Sequence, residues 1–271
     1  MPLDPGLVRG AHAFVFDAYG TLFDVHAAVA RHAAAVGPEA ARLSEIWRAK
    51  QLEYSWVLSL AGRYEPFWTL TERALDYAFA RCPSVDRRVQ RALLEAYRTL
   101  DAYPEAAEVL AALRRRGFRT GILSNGSPDM LASAIASAGL ARLLDHVLSV
   151  DAVGVFKTSP RTYALITEAF GVDPAEVVLV SSNRWDAAGA TAFGFRSVWV
   201  NRAGLRVLGE LAARHQYGHH DRHLPDGVPD PAESEQGQRR SAPEAGRVAG
   251  SQQAGEQPHD RHRGSRRAGP A

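Results

Sequence analysis

Residues 13–24 read AFVFDAYGTLFD, and this stretch decides the fold. Four apolar residues precede Asp17, and the turn-forming Gly20 and the polar Thr21 follow it, which predicts a short buried strand that ends at the aspartate. Similar apolar runs recur at 119–124, 147–150, 177–181 and 197–200. Amphipathic stretches of helical periodicity lie between these runs, at 106–116, 130–138 and 162–170. Strands and helices that alternate in this way indicate an α/β fold, with a Rossmann-like core of parallel strands covered by helices on both faces.

The region from 26 to 100 has a different pattern, because helical periodicity continues there and no convincing strand interrupts it. We therefore predict that 26–100 is a helical cap domain inserted into an α/β core formed by 10–25 and 101–204. Ligands of open α/β sheets bind outside the carboxyl ends of the strands. An insertion directly after the first strand would consequently cover the binding site and exclude water from it.

The segment 205–271 differs in composition from the rest of the chain. Arg, Gly, Pro, Gln, Glu, Ser and His are abundant in it, and Tyr217 is its single aromatic residue. Such a segment buries too little apolar surface to offset the entropy lost on ordering. We predict a low-complexity, disordered C-terminal tail, in which only 205–214 could form a weak helix.

Composition and charge favour a globular protein and give no indication of a nucleic-acid-binding, membrane or disulfide-rich one. The 271 residues are 46% hydrophobic, which is ample for a globular core, and the formal net charge of +2 gives no reason to expect nucleic acid or a membrane as partner. Cys82 is the single cysteine, so neither an intramolecular disulfide nor a cysteine-based zinc cluster can form. No leader pattern or apolar stretch of membrane-spanning length is visible, and we expect a cytoplasmic protein.

Polar residues follow the predicted strands in four groups. These are Asp17 with Tyr19 and Thr21, then Ser124-Asn125-Gly126, then Lys157, and finally Ser181-Ser182-Asn183 with Asp186. Taken singly, an aspartate after a strand is more often a turn former, and Ser-Asn-Gly is a common turn signal. Four such groups in order along the chain favour one site at the carboxyl edge of the sheet. There, a lysine ammonium would keep a nucleophilic carboxylate ionised in a covered pocket.

Several motifs together resemble the haloacid dehalogenase superfamily, and in particular its L-2-haloacid dehalogenase (type II) subfamily. FDAYGTLFD at 16–24 is similar to the first motif of the superfamily, in which the first Asp is the nucleophile. The sequence SNG at 124–126 resembles its second motif, and Lys157 its third. VSSNRWD at 180–186 is similar to the fourth motif in its dehalogenase form, and WRAKQLEYSW at 47–56 to the cap of the subfamily. The resemblance covers about residues 12 to 204.

The resemblance implies hydrolysis of (S)-2-haloalkanoic acids to (R)-2-hydroxyalkanoic acids. Asp17 would attack C2 of the substrate, halide would leave with inversion, and water would then hydrolyse the ester on Asp17. The small 2-haloacid and the halide are the implied ligands, with neither a metal ion nor another cofactor. Relatives are commonly homodimers, so a homodimer is possible. They also carry a further strand and a closing helix, and this chain is expected to lack that edge element beyond Gly204.

A set of catalytic residues follows from the resemblance: Asp17, Thr21, Arg48, Ser124, Lys157, Tyr163, Ser181, Asn183 and Asp186. Lys157 would keep Asp17 anionic, with hydroxyl groups from Thr21 and Ser181 assisting it. Asn183 and Asp186 would position the hydrolytic water or polarise the ester.

A second set would bind the substrate: Tyr19, Arg48, Leu52, Phe67, Ser124, Asn125 and Trp185. Arg48 would bind the halide beside Asn125 and Phe67, since a delocalised guanidinium suits a large, soft anion. Ser124 and nearby backbone N–H groups would receive the substrate carboxylate. Tyr19, Leu52 and Trp185 would line the apolar side of the pocket, where the alkyl group of the substrate lies.

Other interpretations remain open at this stage. Arg48 could be a solvated residue on a helix face, and Phe67 and Trp185 could be ordinary core aromatics. The chain could also be a small-molecule phosphatase of the same superfamily, or an inactive, truncated binding protein. Against a phosphatase, Tyr19 stands where those relatives have a second aspartate that acts as general acid, and it cannot shuttle protons near neutral pH.

Overall fold

The protein is described by a computed structural model that covers residues 5–202, 204 and 215–218, with backbone alone for 5 and 215–218. Six parallel strands form one sheet in the order β3-β2-β1-β4-β5-β6. The strands are β1 (Ala13–Phe16), β2 (Arg119–Ser124), β3 (His146–Ser149), β4 (Val177–Ser181), β5 (Arg196–Asn201) and β6 (His215–Gly218). The predicted α/β fold with a parallel sheet is confirmed.

Strand β1 lies inside the sheet because each of its four residues is apolar and buried. Helices cover both of its faces, as parallel sheets require. Phe16 is paired with Ile122 of β2 and with Val180 of β4. Strands β1 and β4 therefore end within one residue of each other, and β2 extends two residues further, to Ser124. The Asp17 N–H donates to the Val180 carbonyl at 2.9 Å. This register brings the residues after β1, β2 and β4 together at one edge.

Ten α-helices are described. They are α1 (Pro5–Val8), α2 (Ala27–Arg31), α3 (Ala33–Val36), α4 (Ala40–Leu60), α5 (Phe67–Arg81), α6 (Gln90–Arg98), α7 (Ala106–Arg115), α8 (Pro128–Ser137), α9 (Pro160–Phe170) and α10 (Arg184–Phe193). All of 26–100 is described, and it contains five of these helices and no strand, as its periodicity predicts. The boundaries of a separate cap domain stay a prediction. Within the described residues, no helix combines the length and apolar character needed to cross a membrane.

Two helices begin earlier than their periodicity predicts. Helices α8 and α9 start at Pro128 and Pro160, each two residues before the predicted start. In both cases an extended serine, Ser127 or Ser159, stands before the proline. Proline is well suited to the first turn because its φ is already helical and its missing N–H has no intrahelical partner there.

The expectation that no edge strand follows Gly204 is wrong. Strand β6 pairs with β5 from Val198↔His215 to Asn201↔Gly218. The expectation rested on the resemblance to relatives, which ends near Gly204, whereas an open sheet edge offers backbone N–H and C=O groups with which an extended segment of any sequence can pair. A disordered tail is therefore also wrong for 215–218. The other tail predictions, for 205–214 and 219–271, fall outside the described residues.

Candidate active site

The Asp17 carboxylate, directly after β1, is the centre of the site and only 5% exposed. Lys157 donates from Nζ to its Oδ1 at 3.1 Å. The other oxygen, Oδ2, accepts from the Thr21 hydroxyl at 3.0 Å and from Asn183 Nδ2 at 2.7 Å. Three such bonds, one of them from an ammonium group, hold the carboxylate in a fixed direction.

Lys157 is fully buried between two carboxylates. Its Nζ also donates to Asp186 Oδ2 at 2.8 Å, and neither side chain of this second pair is exposed. Burial lowers the pKa of Lys157, but the charges of Asp17 and Asp186 and the hydrogen bonds to both outweigh burial and raise it. The lysine therefore stays charged near neutral pH.

Asp186 is held from behind by Tyr163. The Tyr163 hydroxyl is 2.9 Å from Asp186 Oδ1, and it donates to that oxygen or to the Asp186 carbonyl at 3.1 Å. Burial raises the pKa of Asp186, and the charge of Asp17 adds to this effect, while Lys157 opposes it. Burial likewise raises the pKa of Tyr163. Both residues thus support Lys157 from a closed layer below the site.

A second layer of hydroxyl groups fixes the loop after β1 to the loop after β4. Thr21 Oγ1 accepts from the Ser182 N–H at 2.9 Å, and the Ser182 hydroxyl donates to the Gly20 carbonyl at 2.6 Å. Ser181 Oγ accepts from the Asn183 N–H at 3.1 Å, so Ser181 lies one step from Asp17 and orients Asn183. Ser182 had no role in the sequence interpretation, although it lies inside the fourth motif.

The loop after β2 forms the opposite wall. Ser124 is buried, and its Oγ accepts from the Gly126 N–H at 3.0 Å. Asn125 Oδ1 accepts from the Lys157 N–H at 3.0 Å, which ties this loop to the lysine. Glycine is needed at 126 because a Cβ there would lie 2.6 Å from Tyr19 Cε2. The Ser-Asn-Gly sequence is therefore a turn that also builds the site.

These walls surround a small cavity in front of Asp17, which has little more room than one water molecule needs. Its lining comprises Asp17, Tyr19, Arg48, Leu52, Phe67, Ser124, Asn125, Asn183 and Trp185. All seven predicted substrate-binding residues are among these nine, together with Asp17 and Asn183. Of the remaining predicted catalytic residues, Thr21 and Lys157 bond to Asp17 and Ser181 bonds to Asn183, while Asp186 bonds to Lys157 and Tyr163 bonds to Asp186.

Arg48 extends from α4 into the cavity and is not a solvent-facing helix residue. Its Nη2 donates to the Tyr19 carbonyl at 3.1 Å and to Asn183 Oδ1 at 3.4 Å. Phe67 is 1% exposed at the start of α5 and contacts Phe156 edge to face. It is therefore both a core aromatic and a wall of the cavity.

Two aromatic side chains of the cavity wall have further features. Trp185 meets Trp56 of α4 edge to face, with ring centroids 5.6 Å apart and planes at 86°. The ring of Tyr19 stacks on that of Tyr97, with centroids 5.8 Å apart. The Tyr19 hydroxyl is buried and has no hydrogen-bond partner within the described part of the chain. Burial raises the pKa of Tyr19 well above its usual value, so the phenol stays protonated.

Comparison with known proteins agrees with this geometry. Residues 11–194 match the family model of the haloacid dehalogenase-like hydrolases. The chain is 48% identical over 191 residues to (S)-2-haloacid dehalogenase 1 of Pseudomonas sp. (strain CBS-3), covering 70% of this chain and 84% of that protein. It is 47% identical over 199 residues to (S)-2-haloacid dehalogenase 4A of Burkholderia cepacia, covering 73% and 86%.

A solved structure is similar over most of the described residues. It is the L-2-haloacid dehalogenase of Xanthobacter autotrophicus with chloropropionic acid covalently bound, and it is 45% identical with a TM-score of 0.67. The match covers 72% of this chain and 79% of that one. On these grounds, and with Asp17, Lys157 and Asn183 gathered at the sheet edge, the chain belongs to the haloacid dehalogenase-like hydrolases.

Proposed function

We propose that this chain is an (S)-2-haloacid dehalogenase, which converts (S)-2-haloalkanoic acids to (R)-2-hydroxyalkanoic acids through an ester on Asp17. The observation that carries the proposal is a buried carboxylate held by Lys157, Thr21 and Asn183, facing a small cavity that Arg48 lines. The similar proteins named above are (S)-2-haloacid dehalogenases, which supports this reaction class.

In the first step, a carboxylate oxygen of Asp17 attacks C2 of the substrate from the side opposite the halogen. The new C–O bond forms while the carbon–halogen bond breaks, and the halide leaves with the bonding electrons. Arg48 supplies the positive charge toward which this anion departs. Ser124 and the backbone of its loop would hold the substrate carboxylate, which keeps C2 within reach of Asp17.

In the second step, water attacks the ester carbonyl carbon of Asp17. The bond between that carbon and the substrate oxygen breaks, the product oxygen takes up one proton, and a second proton is released as the carboxylate is restored. Asn183 Nδ2, at 2.7 Å from Oδ2, is placed to stabilise the negative charge that develops on an Asp17 oxygen. Asp186 would act through Lys157, since both of its oxygens are bonded in the buried layer.

A phosphatase is disfavoured by the residue two positions after the nucleophile. Tyr19 has a pKa raised by burial, so it cannot serve as the general acid of a phosphatase near neutral pH. An inactive binding protein is disfavoured because Asp17, Lys157 and Arg48 are all in place around the cavity.

One assay separates these functions. Chloride release from (S)-2-chloropropionate is measured with EDTA present, beside release of p-nitrophenol from p-nitrophenyl phosphate with magnesium. We expect chloride and (R)-lactate from the wild type and from the control Asp76→Asn, which changes an exposed carboxylate, and only background release from Asp17→Asn. Chloride release that persists in Asp17→Asn would overturn the nucleophile, product of retained configuration would overturn the displacement at C2, and activity on the phosphate ester alone would overturn the reaction class.

We also propose that the chain is cytoplasmic and forms a homodimer through its helical region. The support is the free, buried Cys82, which suits a reducing compartment, and the exposed apolar residues Val57 and Leu60 on α4, which are 57% and 89% exposed. Light scattering after gel filtration tests the dimer: Leu60→Glu should shift the mass from two chains to one. Cell fractionation tests the location.

A further inference from the structure

Lys157 carries the charge that holds Asp17, yet it belongs to no helix or strand. It lies within residues 153–159, an irregular segment between the short 3-10 helix Val150–Ala152 and α9. The backbone hydrogen bonds of a sheet or a helix therefore do not fix its position. The direction of the lysine side chain depends instead on the groups that bind the backbone of this segment.

Two consecutive backbone N–H groups of the segment are bound by side chains. The Phe156 N–H donates to Ser59 Oγ at 3.1 Å, and the Lys157 N–H donates to Asn125 Oδ1 at 3.0 Å. Both Phe156 and Lys157 are fully buried. Because a buried N–H group without an acceptor is unfavourable, these two acceptors determine where the backbone at Lys157 lies. One acceptor belongs to the loop after β2, and the other to the helical region.

The ring of Phe156 is enclosed by the chain that joins α4 to α5. Tyr64 packs against it with ring centroids 5.0 Å apart, and Phe67 meets it edge to face at 6.0 Å. The Tyr64 hydroxyl also donates to Asp151 Oδ1, just before the irregular segment. Burial, and after it the hydrogen bond with Asp151, raises the pKa of Tyr64, so the hydroxyl keeps its proton. Tyr64 therefore binds the segment at two places.

Asp151 is itself joined to the wall of the cavity. Its N–H donates to Ser149 Oγ at 3.2 Å, and the Ser149 hydroxyl donates to the Gly126 carbonyl at 2.8 Å. Gly126 belongs to the loop that also contains Asn125. The contacts of Tyr64 and of Ser59 thus lead to the same two parts of the site, the loop after β2 and the segment of Lys157.

The hydroxyl of Ser59 has no local use that would explain it. Ser59 lies near the end of α4, and its Oγ binds a backbone N–H that is 97 positions further along the chain. The same helix carries Arg48, and Phe67 begins the next one. The helical residues that line the cavity and the segment that carries Lys157 are therefore held in one frame.

We propose that Ser59 and Tyr64 are positioning residues for the reaction at Asp17, and that they act through Lys157. Ser59 binds the N–H of the residue before the lysine, and Tyr64 binds the ring of that residue and the start of the segment. Held in this way, Lys157 Nζ stays 3.1 Å from Asp17 Oδ1 and keeps the attacking carboxylate in its direction. Small displacements of groups that orient a nucleophile slow a reaction strongly. The inference rests on the proposed function, in which Asp17 is the nucleophile.

The test removes one hydrogen bond at a time from the full chain and keeps the packing. Ser59→Ala removes the acceptor of the Phe156 N–H, and alanine suits a helix. Its matched control is Ser55→Ala, one turn earlier on α4, where the hydroxyl donates to the Leu52 carbonyl of the same helix at 2.7 Å.

Tyr64→Phe removes the bond to Asp151 and keeps the ring against Phe156. Its matched control is Tyr77→Phe, because Tyr77 is 37% exposed and its ring contact with Lys50 is retained. The kcat and KM values for (S)-2-chloropropionate, the Kd for bromide by calorimetry, and the Tm are measured for each protein. Hydrogen exchange of residues 153–159 is followed by mass spectrometry.

We expect Ser59→Ala and Tyr64→Phe to lower kcat about tenfold and to leave KM nearly unchanged, because the nucleophile is misdirected while the residues that bind the substrate stay in place. Bromide should bind as it does to the wild type, since Arg48 is not displaced. The amides of 153–159 should exchange faster in Ser59→Ala, and both controls should match the wild type in every measurement.

A purely structural role would lower Tm and leave the kcat of the folded enzyme unchanged, so wild-type kcat values in Ser59→Ala and Tyr64→Phe overturn the proposal. Weaker bromide binding in both variants would also overturn it, because the effect would then pass through Arg48 and not through Lys157. Should one variant fail to fold, the other decides the question. A wild type that releases no halide would contradict the proposed function, and the exchange measurement would then test the anchoring by itself: unchanged exchange in Ser59→Ala would overturn it.

Discussion

Replacing Lys157 by methionine is the most direct test of how the site is held together. Methionine has a similar length and no charge, so it fills the same space and removes only the ammonium group. That group lies 3.1 Å from Asp17 Oδ1 and 2.8 Å from Asp186 Oδ2, and it is not exposed. Removing one partner of a buried ion pair costs about 3–5 kcal/mol, because it leaves an uncompensated charge. We expect Lys157→Met to lose about this much free energy of unfolding at neutral pH.

The assay is urea denaturation followed by tryptophan fluorescence. The double variant Lys157→Met with Asp186→Asn should recover part of the loss, since it removes one of the stranded carboxylates, with a coupling of about 1–3 kcal/mol between the two positions. Both variants should release no halide, because Asp17 has lost its cation. Lys50→Met is the matched control. It removes an ion pair with Glu53 at the surface and should change the unfolding midpoint much less.

A decrease of less than about 1 kcal/mol in the free energy of unfolding of Lys157→Met would refute this reasoning, because removing a buried ammonium that binds two carboxylates should destabilise the fold by more than that. An additive double variant would also contradict it. In that case the lysine and Asp186 would not share the energy that their contact implies.

Two further predictions concern packing and pH. Gly126→Ala places a methyl group 2.6 Å from Tyr19 Cε2, so the ring must shift; we expect a loss of about 1–3 kcal/mol and slower halide release, and an unchanged Tm would contradict the close contact. The folded protein holds the protons of Lys157 and Tyr163 more tightly than the unfolded chain does, because both have raised pKa values. Their contribution to stability is complete below about pH 10 and is lost as the pH rises through the folded values, so the urea midpoint should fall above about pH 10, and less in Tyr163→Phe. Equal midpoints at pH 9 and 11 would contradict this assignment.

The sequence predicts most of the sheet edge because its signals are local. An apolar run that stops at Asp17 identifies both a strand and the residue at its end, and parallel pairing then places that residue level with the end of β4. The positions of Ser124 and Asn183 follow in a similar way, since Ser124 is the last residue of β2 and Asn183 lies two residues after the end of β4.

The rest of the site depends on tertiary contacts, for which the amino-acid sequence contains only weak signals. The buried residues Gln51, Thr71 and Tyr97, for example, are joined by hydrogen bonds of 3.1 and 3.2 Å but come from three different helices and share no motif. The one available signal was a glutamine on the apolar stripe of α4, one turn after Trp47, which implies a buried polar group in need of partners. The burial of Asp186 could not be predicted from the sequence either, because it depends on which face of α10 packs against Lys157.

The contact between Trp56 and Trp185 makes part of the site visible to spectroscopy. One indole belongs to the long helix α4 and the other to α10, and their edge-to-face separation of 5.6 Å is close enough for their excited states to couple. A small displacement of either helix changes that coupling and hence the near-ultraviolet circular dichroism of the native enzyme. Because Trp185 lines the cavity, a ligand that shifts its ring would be detected by this signal without an attached dye.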